Sequence, residues 1–334
     1  MTNIAIIGAG AWGTALAQCY AGAGHRVSLV VRTGELAEEI SKTRVNQTYL
    51  ADIQLHDTIS ILPLNQFIEN GDGTKFDIIL NVTPTQFLRA NLQQIHAVLS
   101  ADAPMVICAK GMEIGTDSLP LTIAAEECSN IRLAYLSGPN FARDIARGLP
   151  SASTLAGEVA VTDEVIARLS ARNLRLYATS DIWGAQIGGA IKNVIAIACG
   201  LCHGLELGES ARAALVTRGL AEIARLSETM GGKRETLLGQ CGVGDLMLTC
   251  SSIQSRNFSL GLELAGGKTL TQITQSRTSI AEGVTTSRAA YHFAKTRGVD
   301  MPIVETVYRC LYEDLSLGHA LDHILSRPPR AETH

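Results

Sequence analysis

The sequence predicts an α/β fold in which an N-terminal doubly wound sheet domain is followed by an all-α C-terminal domain. Apolar, β-branched runs of strand length recur up to about residue 180. From Asp181 onward they give way to long Ala-, Leu- and Gly-rich segments with the 3.6-residue spacing of helices. A chain of 334 residues also exceeds what one core usually covers. We therefore predict a sheet domain over residues 1–180, a helical domain over 181–325 and a flexible tail over 326–334.

The first element is a strand that ends in a glycine-rich turn. The apolar run of residues 3–7 is followed directly by Gly8, Gly10 and Gly13, and then by a helix-favouring segment. A second strand over residues 25–31 completes a βαβ unit of about 30 residues, typical of a Rossmann fold. Such a turn aims backbone N–H groups and a helix dipole at one point, so it predicts a pyrophosphate site. Alternatively, the glycines serve close helix–strand packing in another α/β fold.

The residue at the end of the second strand distinguishes a site for NAD from a site for NADP. An acid at this position hydrogen-bonds the ribose hydroxyls of NAD, whereas an arginine accommodates the 2′-phosphate of NADP. The chain has Arg32 there and no acid before Glu35. Arg32 therefore favours NADP(H), while NAD(H) stays possible because an arginine stacked on adenine has the same sequence signature.

Composition excludes several classes of partner. A net charge of −4 gives no reason to expect nucleic acid or an anionic membrane. The first strand begins almost at Met1, which leaves no room for an export signal, so we predict a cytoplasmic protein with reduced cysteines. The longest apolar stretch, residues 187–201, is interrupted by Lys192 and Asn193, which argues against a membrane span.

One cysteine pattern matches the C-x-x-C-H rule for haem attachment, at Cys199, Cys202 and His203. It lies inside an apolar helical run in a chain without an export signal, and no second Cys/His pair with ligand spacing follows. We therefore predict neither haem nor a metal.

Three further runs read as parallel core strands, over residues 76–82, 104–109 and 131–136. Residues 151–155 and 173–177 could add two strands at the sheet edge. Ligands of open α/β sheets bind at the carboxyl ends of the strands, where this chain delivers Thr83, Lys110 and Ser137.

The helical domain carries the residues that we expect to perform chemistry. Lys192 and Asn193 interrupt an otherwise apolar helix, and burying an ammonium requires polar or acidic partners. The alternative is a lysine that snorkels from a helix edge.

A second polar segment follows at residues 242–257. It supplies Asp245, hydroxyls including Ser255, then Arg256 and Asn257, which together could clamp a phosphate. A capped helix start with a solvated arginine would give the same pattern.

Together these motifs resemble the bacterial-type NAD(P)-dependent glycerol-3-phosphate dehydrogenases. The resemblance runs from residue 3 to about residue 310, and the Gly-Asp-Leu…Thr-Cys…Ser-Arg-Asn run is far more specific than the glycine turn. It implies a reversible reduction of dihydroxyacetone phosphate to sn-glycerol 3-phosphate for glycerophospholipid synthesis, by a homodimer. Two alternatives stay open: a two-domain hydroxyacid or ketoacid reductase, and a dinucleotide-sensing binding protein.

The resemblance also implies roles for individual residues. Lys192 would be the proton donor and acceptor, oriented by Asp245 and Asn193. The substrate-binding residues would be Lys110, Gly138, Asn140, Asn193, Asp245, Ser255, Arg256 and Asn257. The cofactor-binding residues would be Gly8, Gly10, Ala11, Trp12, Gly13, Arg32, Tyr49, Lys110, Ala142, Arg256, Ile280 and Glu282. The chain departs from the usual family residues at Asn140, Asp144 and Ser210.

Overall fold

The computed structural model describes residues 1–169, 171–277 and 281–325. Within these residues, strands and helices alternate up to about residue 180, and helices alone follow. The strands are β1 (Asn3–Ile7), β2 (Arg26–Val31), β3 (Val45–Asn46), β4 (Leu50–Gln54), β5 (Ser60–Pro63), β6 (Ile78–Asn81), β7 (Met105–Ile107), β8 (Leu133–Ser137), β9 (Ser151–Gly157) and β10 (Leu174–Thr179).

The helices of the sheet-containing part are α1 (Ala11–Gly22), α2 (Gly34–Thr43), α3 (Leu64–Glu69), α4 (Thr85–Ile95), α5 (Pro120–Glu127), α6 (Ala142–Ala146) and α7 (Val159–Arg168). The helices that follow are α8 (Ile182–Gly204), α9 (Glu209–Thr229), α10 (Arg234–Leu237), α11 (Asp245–Cys250), α12 (Arg256–Ala265), α13 (Leu270–Ser276), α14 (Glu282–Thr296), α15 (Pro302–Tyr312) and α16 (Leu317–Leu325). The predicted fold class is confirmed. We propose the domain boundary near residue 180, between β10 and α8; the predicted flexible tail over residues 326–334 lies outside the described residues.

One eight-stranded sheet runs in the order β10–β9–β8–β7–β6–β1–β2–β5. Neighbouring strands are parallel, except that β8 and β9 are antiparallel. The chain passes from β1 outward to β2 and β5, and then returns to place β6 on the other side of β1. Such a reversal opens a crevice at the carboxyl ends of the two central strands, where ligands of these sheets bind.

Three short strands were not predicted from the sequence. β3 and β4 form an antiparallel hairpin, and β5 extends the sheet beyond β2. Their residues are largely exposed or half-buried, so they lack the continuous apolar run that marks a buried parallel strand. The two expected edge strands are present as β9 and β10.

Helix α8 forms the centre of the helical part. Its residues are buried without interruption from Gly184 to Cys202, and it packs against α9, α11, α12 and α14, and against β8 of the sheet. Among the described residues, α8 is the one helix that is long and apolar enough to cross a membrane. Its most apolar 18-residue segment is entirely buried within the protein, as in the core helix of a globular protein. Because α8 packs against both the helical part and the sheet, its polar residues lie next to the strand ends.

Candidate active site

A buried ion pair lies at the centre of α8. The Lys192 ammonium donates to Asp245 Oδ1 at 2.6 Å and to Thr249 Oγ1 at 2.8 Å. Lys192 is 7% exposed and Asp245 is 1% exposed. Asp245 begins α11 directly after a π-helical turn, Gln240–Gly244, and such turns occur often at functional sites. The alternative of a snorkelling lysine is therefore wrong, because the ammonium points into the protein.

A second ammonium reaches the same carboxylate from the sheet. Lys110 follows β7, and its Nζ donates to Asp245 Oδ2 at 2.7 Å and to the Gly138 carbonyl at 2.9 Å. Each oxygen of Asp245 thus accepts from one lysine. Gly138 directly follows β8 and lies so close to β9 that an added Cβ would lie 2.8 Å from the Ser153 Cα.

The surroundings of Lys192 disfavour its charged form. Burial lowers the pKa of Lys192, and the nearby charge of Lys110 acts in the same direction. The attraction of Asp245 opposes both effects without cancelling them. A lysine with a lowered pKa can exchange a proton closer to neutral pH than an exposed one, which general acid–base chemistry requires.

Two asparagine side chains connect the surrounding helices. Asn257 Nδ2 donates to Asn193 Oδ1 at 2.8 Å, and Asn257 Oδ1 accepts from the Gly283 N–H at 2.9 Å. Asn193 Nδ2 in turn donates to the Lys110 carbonyl at 3.3 Å. Asn193 therefore binds the backbone of Lys110, and among the described residues no hydrogen bond joins it to the Lys192 ammonium.

The start of α12 presents donors next to this cluster. Ser255 caps the helix, since its Oγ accepts from the Phe258 N–H at 3.3 Å. Arg256 is the first helical residue and is exposed, and Arg277 donates to its carbonyl at 2.8 Å. The first N–H groups of a helix lack intrahelical acceptors, so this end can bind an anion.

Glu282 brings a further carboxylate to the same region. It is half-buried at the start of α14. Burial raises the pKa of Glu282, while Arg256, Lys192 and Lys110 oppose that shift. The three cations thus lie within electrostatic reach of one carboxylate.

The glycine turn has the geometry of a phosphate cradle. Gly10 caps α1, whose first turn contains Ala11 and Trp12. Gly8 has a φ of +109°, and a Cβ on Gly13 would lie 1.9 Å from the Gly8 carbonyl oxygen. Only glycines allow this approach of α1 to β1.

The remaining predicted residues lie around the strand ends. Arg32 directly follows β2 and is exposed, Tyr49 lies in the turn between β3 and β4, and Ala142 begins α6. The Asn140 side chain is tied to β9, because its Nδ2 donates to Ser153 Oγ and its Oδ1 accepts from Ser151 Oγ. Ile280 lies outside the described residues. Asp144 lies in the first turn of α6, and Ser210 in that of α9.

Several contributors had no assigned role in the sequence analysis. Thr249 Oγ1 accepts from Lys192 and donates to the Asp245 carbonyl at 2.6 Å, one helical turn along α11. Its place inside the specific 242–257 run was the signal that could have identified it.

Glu113, three residues after Lys110, is also buried. Its carboxylate accepts from Arg89 Nη2 at 2.8 Å, and the Gln86 side chain binds the backbone on both sides of it. Helix α4 thereby fixes the loop after Lys110, a contact that no local pattern indicates.

The cysteine motif is part of α8, where Cys199 and Cys202 are buried. Across the described ranges, no group of three or more His, Cys, Asp or Glu side chains could hold a metal ion.

Comparison with known proteins identifies the family. Residues 3–162 match the family model of the NAD-dependent glycerol-3-phosphate dehydrogenase N-terminus, and residues 181–322 match the model of the C-terminus. The chain belongs to the NAD-dependent glycerol-3-phosphate dehydrogenase family. The predictions of this family and of an oxidoreductase are thereby confirmed, and a nicotinamide dinucleotide is the cofactor of the family.

Individual relatives cover the whole length. A glycerol-3-phosphate dehydrogenase (NAD(P)+) of Parvibaculum lavamentivorans is 44% identical over 332 residues, covering 99% of this chain and 98% of the relative. One from Nitrosomonas europaea is 43% identical, covering 99% of each chain. The crystal structure of glycerol-3-phosphate dehydrogenase from Coxiella burnetii has a TM-score of 0.91 and 34% identity, covering 98% of this chain and 99% of that one.

Proposed function

We propose that this protein interconverts dihydroxyacetone phosphate and sn-glycerol 3-phosphate with a nicotinamide dinucleotide, and so serves glycerophospholipid synthesis. The observation that carries the proposal is the buried Lys192–Asp245–Lys110 cluster at the strand ends of the sheet. It combines a proton-exchanging lysine with a helix start suited to an anion, as a phosphorylated ketone requires.

The residues around the first βαβ unit fit the dinucleotide. An added Cβ on Gly8 would lie 3.2 Å from the Val82 carbonyl, and one on Gly13 would lie 1.9 Å from the Gly8 carbonyl oxygen, so the turn depends on both glycines. The N-terminus of α1 supplies N–H groups for a pyrophosphate. When bound, the nicotinamide supplies or accepts the hydride. The proposed holding residues are Gly8, Gly10, Ala11, Trp12, Gly13, Arg32, Tyr49, Lys110, Ala142, Arg256 and Glu282.

Lys192 is the proposed acid and base. In the direction of reduction its ammonium protonates the oxygen on C2 as that oxygen becomes an alkoxide, and in oxidation the neutral amine removes the proton. Asp245 keeps the lysine in place and balances its charge. Lys110 contributes positive charge on the sheet side of the substrate.

The phosphate is proposed to bind at the start of α12. The Arg256 guanidinium and the first N–H groups of the helix supply its donors. Because Asn193 and Gly283 occupy the Asn257 side chain, Asn257 contributes its backbone N–H and holds the neighbouring helices in register. Gly138, Asn140, Asn193 and Ser255 complete the proposed substrate site.

The test is the initial rate of NADPH oxidation with dihydroxyacetone phosphate, compared with the rate with a 2-keto acid. We expect turnover with the triose phosphate and none with the keto acid, and the converse would refute the substrate assignment. In Arg256→Ala the KM for the phosphorylated substrate should rise far more than the Kd for NADPH. An equal loss of both would make Arg256 chiefly a cofactor contact.

We also propose that NADP(H) is preferred over NAD(H), because Arg32 is exposed at the end of β2 where a 2′-phosphate would lie. Arg32→Ala should reduce the ratio of kcat/KM for NADPH to that for NADH, while Arg26→Ala, at the other end of β2, should leave it unchanged. An unchanged ratio in Arg32→Ala would refute the assignment.

Finally, we propose a cytoplasmic homodimer, on the basis of the family resemblance. Light scattering of the purified protein should give twice the 35.5 kDa mass of one chain. A monomeric mass would refute the dimer, and fractionation of cells would test the location.

A further inference from the structure

The β3–β4 hairpin is attached to the glycine turn by one buried side chain. Asn46 in β3 is 0% exposed, and its Nδ2 donates to the Ala9 carbonyl and to Thr14 Oγ1, both at 2.9 Å. Ala9 lies between the first two glycines of the turn, and Thr14 lies in α1. A residue distant in sequence thus fixes the backbone of the turn.

The chemistry of this contact requires an amide. A carbonyl oxygen only accepts, so the NH₂ group of Asn46 must face Ala9. Both of its N–H bonds are then in use. An aspartate of the same shape has no N–H to donate and would place an oxygen against the Ala9 carbonyl.

The other end of the hairpin is attached to α6. Asp52 in β4 forms salt bridges with Arg143 Nε at 3.0 Å and with Arg147 Nη2 at 2.8 Å, both of which follow Ala142. Between the two attachments lies Tyr49, 38% exposed, whose N–H donates to the Asn46 carbonyl at 3.2 Å. The hairpin therefore spans from the glycine turn to the start of α6.

We propose that Asn46 is a positioning residue for the dinucleotide: by joining the hairpin to the glycine turn, it holds Tyr49 and the N–H groups of the turn in one binding surface. The inference rests on the proposed function in that the ligand is a dinucleotide. Without Asn46 the Ala9 carbonyl, in a residue that is 8% exposed, loses its donor. The turn can then leave the geometry that binds the pyrophosphate.

The test is Asn46→Asp in the full-length protein, with the Kd for NADPH measured by fluorescence titration. We expect Kd to rise at least about tenfold, equivalent to about 1.4 kcal/mol. The kcat at saturating NADPH and the KM for dihydroxyacetone phosphate should stay unchanged, because the Lys192 cluster is untouched. A merely structural role would not produce this separation of cofactor affinity from kcat.

The matched control is Asn173→Asp. Asn173 also connects α1 to another element, since its Oδ1 accepts from Cys19 Sγ at 3.3 Å and its Nδ2 donates to the Ile145 carbonyl at 3.4 Å. At the other end of α1 it accepts rather than donates, so an aspartate keeps the contact with Cys19 and loses only the donation to Ile145. We therefore expect its Kd for NADPH to match the wild type. An Asn46→Asp protein with wild-type NADPH affinity, or a control with an equal loss, would overturn the proposal.

A second variant decides the case in which Asn46→Asp does not fold. Asp52→Asn weakens the attachment of the hairpin to α6 at the surface and should raise the Kd for NADPH with kcat unchanged; an unchanged Kd would overturn the proposal. If the wild type binds NADPH but does not reduce dihydroxyacetone phosphate, the proposed substrate is wrong and the binding series still decides the role of Asn46. If the wild type binds no dinucleotide, both proposals fail.

Discussion

Replacing Asp245 by asparagine tests the central charge arrangement. Asp245 accepts from Lys192 at 2.6 Å and from Lys110 at 2.7 Å, while itself 1% exposed. Asparagine keeps the shape but removes the charge that compensates both ammonium groups. Removing one partner of a buried ion pair typically costs about 3–5 kcal/mol.

That energy is a cost to the folded state, and it sets an upper limit on the loss of rate. At 1.36 kcal/mol per decade, about 3–5 kcal/mol corresponds to a fall in kcat of roughly 10²–10⁴-fold if the whole effect is felt at the reacting proton. The range agrees with the usual contribution of general acid–base catalysis, about 10²–10⁴-fold. We therefore expect kcat for the reduction of dihydroxyacetone phosphate to fall by at least about 10²-fold in Asp245→Asn.

The pH dependence of the rate should show in which direction Asp245→Asn shifts the pKa of Lys192. Burial already lowers the pKa of Lys192, and Asp245 opposes that shift, so the variant should have a still lower pKa at Lys192. Reduction needs the ammonium form. Its residual rate should therefore decline at a lower pH in Asp245→Asn than in the wild type, whereas oxidation, which needs the amine, should be retained to lower pH.

The control for this experiment is Asp181→Asn. Asp181 is 7% exposed and caps the N-terminus of α8, where its carboxylate accepts from the Gly184 and Lys233 N–H groups. This variant should lose stability but keep kcat and its pH profile. A wild-type profile in Asp245→Asn, or an equal fall of kcat in the control, would refute the reasoning.

Three further predictions follow from the same contacts. Lys192→Ala should lower kcat by at least about 10²-fold with the Kd for NADPH nearly intact, and near-normal turnover in a steady-state assay would remove Lys192 from the mechanism. Gly13→Ala should abolish tight NADPH binding, measured by titration, because its Cβ would lie 1.9 Å from the Gly8 carbonyl oxygen; wild-type affinity would contradict this. Burial raises the pKa of Glu222 to about 8, although two backbone N–H groups of α15 oppose the shift. The folded state therefore holds this proton more tightly, so the stability gained below the unfolded pKa of about 4.5 is lost as the pH rises toward 8. The free energy of unfolding of Glu222→Gln, measured with urea, should not decline over this pH range. Parallel plots of unfolding free energy against pH for the variant and the wild type would contradict the prediction.

The parts of the fold that the sequence predicted share one physical cause. β1, β6 and β7 are buried on both faces, so each reads as a continuous apolar run, and α8 combines helical length with complete burial. The hairpin and β5 have exposed faces and short lengths, and their formation depends on contacts with α1 and β2 that no local window contains. The antiparallel direction of β9 is likewise a property of the chain path.

The candidate site likewise has features that the sequence predicted and features that it did not. Residue types and their spacing pointed to Lys192, Lys110 and Asp245, since a charge in an apolar helix and a lysine at a strand end are both visible in sequence. Residue types and spacing did not indicate which side-chain atoms form hydrogen bonds with each other. The Asn193 amide binds the backbone of Lys110 and the side chain of Asn257, because the packing of α8 against α12 decides which neighbours an amide can reach.

The same ion pairs also connect the two parts of the chain. Lys192 and Asp245 belong to the helical part and Lys110 to the loop after β7, so the carboxylate that binds the proposed acid–base lysine also binds the sheet-containing part. Asn193 adds a second connection to the same loop residue, through the Lys110 carbonyl. Any shift between sheet and helices would therefore change the ionic surroundings of Lys192 as well as the distance to a bound dinucleotide. Because the compensating charge lies at the contact between the two parts, the proposed proton transfer requires that they stay aligned.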